Sequence, residues 1–196
     1  VGCLASYLVK DAAASSYLLL KKLGVDFMIL PDEGCCGVYF HEVGRLDLAQ
    51  EKFTENADRF KRLGIKKIIV ACAGCYHCFK RFYPQLLGSI DFEVVHIVQL
   101  LPSLLKEKGI KLEQKGIEVT YHDPCRLGRL EGFYDEPREA LRLSGVKVNE
   151  IPENRENAPC CGAGGGVRSV YRDLSLKLAT SILDQAPVSP IVTPCP

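Results

Sequence analysis

One triplet, Cys-Cys-Gly, occurs at two places in the chain, residues 35–37 and 160–162. Across a trans peptide adjacent Cα atoms stand ~3.8 Å apart, short of the ~4.4–6.8 Å a disulfide spans, so such neighbours do not simply bridge each other. They do converge well on one soft metal centre, and a glycine beside them lets backbone N–H groups approach the sulfurs. The plainer alternative is two small buried hydrophobes at a glycine turn. The remaining cysteines decide between the two. Cys125 follows Cys3 by 122 residues, Cys160 and Cys161 follow Cys35 and Cys36 by 125, and Cys195 follows Cys72 by 123. Matched spacing in matched surroundings is the signature of an internal repeat. It predicts two pseudo-symmetric lobes, as tandem domains at 1–112 and 113–196, with the second starting near 111–116.

The first half then holds five candidate ligands: Cys3, Cys35, Cys36, Cys72 and Cys75. The second holds four: Cys125, Cys160, Cys161 and Cys195. The counterpart of Cys75 would fall at position 198, two past Pro196, so the second set is expected to bind its centre more weakly. Cys78 fits neither set; one helical turn beyond Cys75, it is expected to point elsewhere. A bacterial ferredoxin run through Cys72, Cys75 and Cys78 is rejected, because Phe82-Tyr83 stands where that run needs Cys-Pro.

Ten cysteines in 196 residues also raise the possibility of a secreted disulfide scaffold. Against it, the chain is 47% hydrophobic and long enough to bury a core. Its cysteines cluster beside apolar strands, the usage of metal or redox proteins in a reducing cytosol. Lys and Arg number 25 against 24 Asp and Glu, so no basic face recommends nucleic acid. No apolar run approaches the ~18–20 residues that cross a bilayer, and a cytoplasmic protein is expected.

Periodicity and turn residues predict helices over 11–23, 46–63, 75–83, 135–143 and 167–185, and another from 98 to 108. Strands are expected at 25–30, 67–71, 92–98, 117–121, 146–151 and 191–193, with residues 1–3 closing a further one. Alternation of this kind argues an α/β fold with small, mainly parallel sheets, whose sites gather at the carboxyl ends of strands. The cysteine-bearing turns fall at those ends.

Taken together, Cys-x31-Cys-Cys-Gly-x34-Cys-x-x-Cys, Tyr121-His122-Asp123-Pro124-Cys125 and the phrase from Asn154 to Gly166 resemble the CCG (cysteine-rich) domain family. Within it, residues 121–137 and 154–166 are most similar to the D and B types of heterodisulfide reductase subunit. The resemblance covers essentially the whole chain. It implies a [4Fe–4S] cluster at each complete motif, of non-cubane form in the reductases, and a disulfide or thiol substrate, the disulfide being cleaved between two such clusters. It implies partner redox subunits too: ferredoxin-like, flavin-bearing or a membrane cytochrome, the last placing the protein peripherally at a membrane. The family also contains non-catalytic electron-transfer subunits of glycolate, lactate and glycerol-3-phosphate dehydrogenase complexes, and that reading stays open. So does a zinc-binding structural protein, since four thiolates also make a tetrahedral zinc site.

His122, beside Cys125, is the candidate proton donor to a leaving thiolate, or else it caps a turn. Asp123 is read as an anchor of the loop before Pro124. His41, His77 and His96 receive no role. Arg126 and Arg168 either hold an anionic group or are solvated surface residues. The glycines of 162–166 follow a cysteine pair instead of a strand, so they are read as room for a cluster and not as a phosphate cradle.

Overall fold

The computed structural model describes residues 1–109 and 116–196. The expected restart at 111–116 therefore lies, apart from Gly116, outside the described residues. The chain divides into two compact units, Val1–Ile97 with Cys195–Pro196, and Val98–Pro194.

In the first unit the order is α1 (Cys3–Tyr7), α2 (Lys10–Lys22), α3 (Val38–Glu42), α4 (Leu46–Arg62), β1 (Lys67–Val70) and α5 (Ala73–His77). A π-helical turn (Cys78–Phe82), α6 (Tyr83–Leu87) and β2 (Glu93–His96) complete it. Helix α4 forms where the periodicity placed it: Ala49, Phe53 and Asn56 line its buried face, Asp47 sits in its first turn, and Arg59, Lys61 and Arg62 sit in its last. Gly64, at φ +66°, ends it, and the Ile65 N–H reaches back to the Phe60 carbonyl at 2.9 Å. Strands β1 and β2 pair in parallel, Lys67 opposite Glu93 and Val70 opposite His96. Phe53, Phe79, Tyr83, Phe92, Val94 and Val95 form the core. The rings of Phe53 and Tyr83 stack at 4.1 Å.

The second unit carries α7 (Ile97–Glu107), whose first residue closes the first unit, then β3 (Glu118–Tyr121), α8 (Asp135–Leu143) and β4 (Lys147–Glu150). A 3-10 turn (Arg155–Asn157), α9 (Val167–Val170), α10 (Arg172–Gln185) and β5 (Ile191–Val192) follow. Its sheet has the order β4-β3-β5, parallel throughout. The fold is α/β, with one small parallel sheet in each unit.

Four local expectations are corrected. Residues 25–30 form no strand. Their counterpart β4 pairs with β3, whereas among the described residues no strand pairs with 25–30. Residues 1–3 do not close a strand either, because Gly2, at φ +90°, turns the chain so that α1 starts at Cys3. Pro84 does not stop the helix begun near Cys75. The π turn intervenes, and Pro84 lies in the first turn of α6, where a missing N–H costs nothing. Last, the helix expected over 167–185 is broken at Tyr171, whose φ of −122° and ψ of 62° are non-helical. Among the described residues no helix is long and apolar enough to cross a membrane.

Candidate metal centre

Three loops deliver the first five cysteines to one place. Cys3 opens α1, steered there by the Gly2 N–H, which donates to Glu33 Oε1 at 2.6 Å. Cys35 and Cys36 lie in the bend that Gly37, at φ +84°, closes as it starts α3. Cys72 caps α5 at the carboxyl end of β1, and Cys75 sits one turn into that helix. The Cys3 thiol donates to Cys35 Sγ at 3.3 Å, and the Gly37 N–H donates to the same sulfur at 3.4 Å. Side-chain hydrogen bonds then link Cys35 to Cys36, Cys36 to Cys75, and Cys75 to Cys72. A Cβ built on Gly2 would stand 3.5 Å from Cys75 Sγ, which closes the arrangement.

Protons along this chain of sulfurs are unevenly held. Cys36 is pulled well below the ordinary thiol range by hydrogen bonds from Cys35, Cys75 and Cys78, against its burial. Cys72 is lowered to about 7, chiefly by its bond with Cys75. Cys35 is raised by its bond to Cys36 and then by burial, and Cys75 by its bonds to Cys36 and Cys72. Thiolate-prone and proton-holding sulfurs thus alternate along the line, and thiolates are the nucleophiles and metal ligands. Among the described residues no three His, Cys, Asp or Glu side chains stand together as a single-ion group. The sulfurs run from Cys3 through Cys35 to Cys36, which touches Cys75 and Cys78 as well, and a backbone N–H is directed at Cys35. That arrangement fits a polynuclear, thiolate-bound centre better than one tetrahedral ion.

Cys78 departs from expectation. It is fully buried, and its thiol donates to the Cys36 carbonyl at 3.5 Å. It sits where α5 gives way to the π turn, which sequence periodicity does not reveal.

In the second unit Cys125 follows β3, and Cys160 and Cys161 occupy the second Cys-Cys-Gly bend. Burial raises the Cys125 thiol, and the nearby Cys160 and Cys161 raise it further. The Gly162 N–H donates to Cys160 Sγ at 3.3 Å, matching Gly37 and Cys35. A side chain at Gly162, φ +76°, would meet the Ser175 backbone at 2.9 Å, so only glycine fits there. Cys195 is half-buried and groups with the first unit.

His122 is buried, and its Nε2 lies 3.0 Å from the Pro159 carbonyl. A carbonyl only accepts, so the proton is on Nε2, and the ring ties β3 to the residue before Cys160. Asp123 takes a bidentate ion pair from Arg138, both contacts 2.7 Å, and accepts the Arg155 N–H at 2.7 Å. Arg138 also pairs with Glu150 at 2.7 Å and is 1% exposed. The loop anchor read at Asp123 is in place, but Arg138 was missed as its partner. Arg126 has bonding partners, and a Cβ built on Gly164 would stand 3.8 Å from its guanidinium. Asn56 and Tyr83 were also missed. For Asn56 the signal was a polar residue on the apolar stripe of α4; for Tyr83, whose phenol is fully buried, the sequence carries none.

Comparison with known proteins agrees with this geometry. The chain is 41% identical over 192 residues to the D-type subunit of the dihydromethanophenazine:CoB–CoM heterodisulfide reductase of Methanosarcina mazei, covering 94% of this chain and 47% of that protein. It is 40% identical over 180 residues to the EtfAB:quinone oxidoreductase of Syntrophomonas wolfei, covering 90% and 25%. With an uncharacterized iron-sulfur protein of Methanocaldococcus jannaschii it shares 32% over 200 residues, covering 100% and 38%. The chain spans about half of these curated relatives or less. The cysteine-rich domain, CCG, matches residues 1–80 and 119–196, the two stretches that hold both cysteine sets. The chain belongs to the cysteine-rich (CCG) domain family.

Proposed function

We propose that this chain is the cluster-binding part of an iron–sulfur oxidoreductase subunit of heterodisulfide reductase type. Its coarse part, an iron–sulfur redox subunit, is supported by the family and by relatives that are redox-complex subunits and iron–sulfur proteins. Its finer part, reduction of a disulfide substrate, is supported by kinship with a heterodisulfide reductase subunit. The observation that carries the reading is the continuous line of sulfurs Cys3, Cys35, Cys36, Cys75 and Cys72, with the Gly37 N–H on one of them.

Cys3, Cys35, Cys36, Cys72 and Cys75 would hold one [4Fe–4S] cluster; Cys125, Cys160 and Cys161 would serve a second. Bound there, such a cluster supplies one-electron chemistry and iron that takes a sulfur ligand. The protein's own part is to hold the thiolates and direct N–H donors at their sulfurs. His122, with Nε2–H committed to Pro159 and three residues before Cys125, has Nδ1 left to take up a proton and pass it to a leaving thiolate. The family units are taken as 1–112 and 113–196. Partner redox subunits would feed electrons in, and they would bring a cytoplasmic protein to a membrane surface where association occurs.

The test is anaerobic reconstitution of the full-length protein with iron and sulfide, followed by turnover of a heterodisulfide with a reduced viologen dye. Iron and sulfide in comparable amounts, broad visible absorbance and turnover are expected. Zinc alone, with no bound iron, overturns the cluster reading. A loaded protein that exchanges electrons but leaves the disulfide untouched favours the second reading, a non-catalytic electron-transfer subunit. Kinship with the EtfAB:quinone oxidoreductase supports that one.

A further inference from the structure

Beneath the first Cys-Cys-Gly bend lies a buried polar group that core packing does not explain. Asn56, on the buried face of α4, is 3% exposed, and Tyr83 and Cys78 are fully buried. Asn56 Nδ2 donates to the Cys35 carbonyl at 2.9 Å and to the Tyr83 hydroxyl at 2.9 Å. The Tyr83 hydroxyl donates onward to the Cys36 carbonyl at 3.0 Å, which also receives the Cys78 thiol at 3.5 Å. Both cysteine carbonyls accept and cannot donate. The amide orientation of Asn56, the direction of the Tyr83 proton and the protonated state of Cys78 therefore follow from geometry. Burying an amide and a phenol is costly unless they are bonded, and here they are.

We propose that Asn56, Tyr83 and Cys78 are positioning residues that pin the two peptides following Cys35 and Cys36, so that both cysteines are set for a ligand role. Carbonyls held from α4, the π turn and α6 leave the backbone at Cys35 and Cys36 little rotation. The two Cβ–Sγ bonds are thereby aimed, one sulfur toward Cys3 and the other toward Cys75. Gly37 completes the clamp, because a Cβ there would stand 2.9 Å from the Phe53 ring that stacks on Tyr83. Cys78, whose thiol also reaches the Cys36 sulfur, is assigned here as a hydrogen-bond donor and not as a ligand. The inference rests on the cluster reading for its purpose, but the clamp itself is a property of the metal-free protein.

The experiment uses the full-length protein with Tyr83→Phe, Asn56→Asp, Cys78→Ser and Cys78→Ala, and with Cys36→Ser as the ligand control. Metal-free samples are pulsed with iodoacetamide, and each cysteine is quantified by peptide mass spectrometry. Reconstituted samples are assayed for retained iron and for the spectrum of the reduced centre. Tyr83→Phe, which keeps the stacked ring, and Asn56→Asp should each raise alkylation at Cys35 and Cys36 by about fivefold or more, as expected for loss of one buried hydrogen bond. Rates at Cys125 and Cys160 should not change. The reduced spectrum of Tyr83→Phe should differ from wild type. Cys78→Ser should keep wild-type iron and rates, because its hydroxyl still donates, whereas Cys78→Ala should raise the rates. Unchanged rates in Tyr83→Phe overturn the proposal, and so does loss of iron in Cys78→Ser equal to that in Cys36→Ser. If Asn56→Asp unfolds, Tyr83→Phe decides. A wild type that binds no iron would sink the cluster reading, while the alkylation rates would still judge the clamp.

Discussion

Arg138 and His96 illustrate what single buried groups do here. Arg138 is closed in by Asp123, Glu150 and the Tyr134 carbonyl, and its guanidinium lies 4.4 Å from the Tyr121 ring. Removing it leaves Asp123, 1% exposed, as an uncompensated charge. Arg138→Ala should therefore cost about 3–5 kcal/mol, read from urea unfolding; a cost below about 1 kcal/mol would place the pair among exposed bridges. His96 is fully buried at the end of β2, and burial lowers it to about 4, partly offset by a hydrogen bond with the Ala71 backbone. With a folded value below the unfolded one of 6.5, the unfolded chain takes the proton first. This contribution to stability is complete above about pH 6.5 and is lost as pH falls toward about 4, by about 3 kcal/mol at most. His96→Phe should flatten that part of the stability profile, and an unchanged slope would refute the assignment. Neither role was legible beforehand. An arginine on α8 and a histidine ending a strand look like surface residues until the tertiary partners are known. The cysteines, by contrast, were legible because their spacing repeats.

At the level of elements, the glycines that start α3 and α9 and those inside the bends decide where helices meet the cysteines. Gly162→Ala sets a methyl at φ +76° against the Ser175 backbone on α10, which cannot swing away. Gly37→Ala sets one against the side-chain ring of Phe53, which has some freedom. Each should lose about 1–2 kcal/mol to the left-handed backbone alone, and Gly162→Ala should lose clearly more than Gly37→Ala in denaturant titrations. Equal losses would mean that the α10 contact contributes nothing. Helices α4 and α8 could be read from the sequence because their apolar and charged residues recur at helical spacing. Residues 25–30 were as apolar as any strand, yet a strand also needs a neighbour to pair with, and composition does not supply one.

For the molecule as a whole, one cluster in the first unit would tie together residues from 3 to 75. Ligands that bind only the folded state stabilise it, and a metal that joins distant loops transmits that gain to all of them. Loading with iron and sulfide should slow hydrogen exchange in α1, in residues 34–37 and in α5 together, and chelation should reverse it. Protection confined to one of these segments would argue that the sulfurs do not share a centre. The parallel sheets were foreseeable from strand–helix alternation. The grouping of Cys195 with the first unit was not, because repeat spacing counts residues along a chain and does not say which unit a terminal strand's successor joins.

The widened turn at Cys78–Phe82 has a consequence for phase. Eight residues separate Cys75 from Tyr83, and in an uninterrupted α-helix that is about 80° beyond two full turns. A π turn acts as one inserted residue and takes back about that much rotation, so the Cys75 sulfur and the Tyr83 hydroxyl both face Cys36. The turn is an angular gear between ligand and clamp. Deleting exposed Lys80 removes the inserted residue: an ordinary α-helix then advances seven residues from Cys75 to the tyrosine, about 20° short of two full turns, and the hydroxyl stays on its carbonyl. That deletion should leave the Cys36 alkylation rate close to wild type, and a rate as high as that of Tyr83→Phe would show that the turn does not act as one inserted residue.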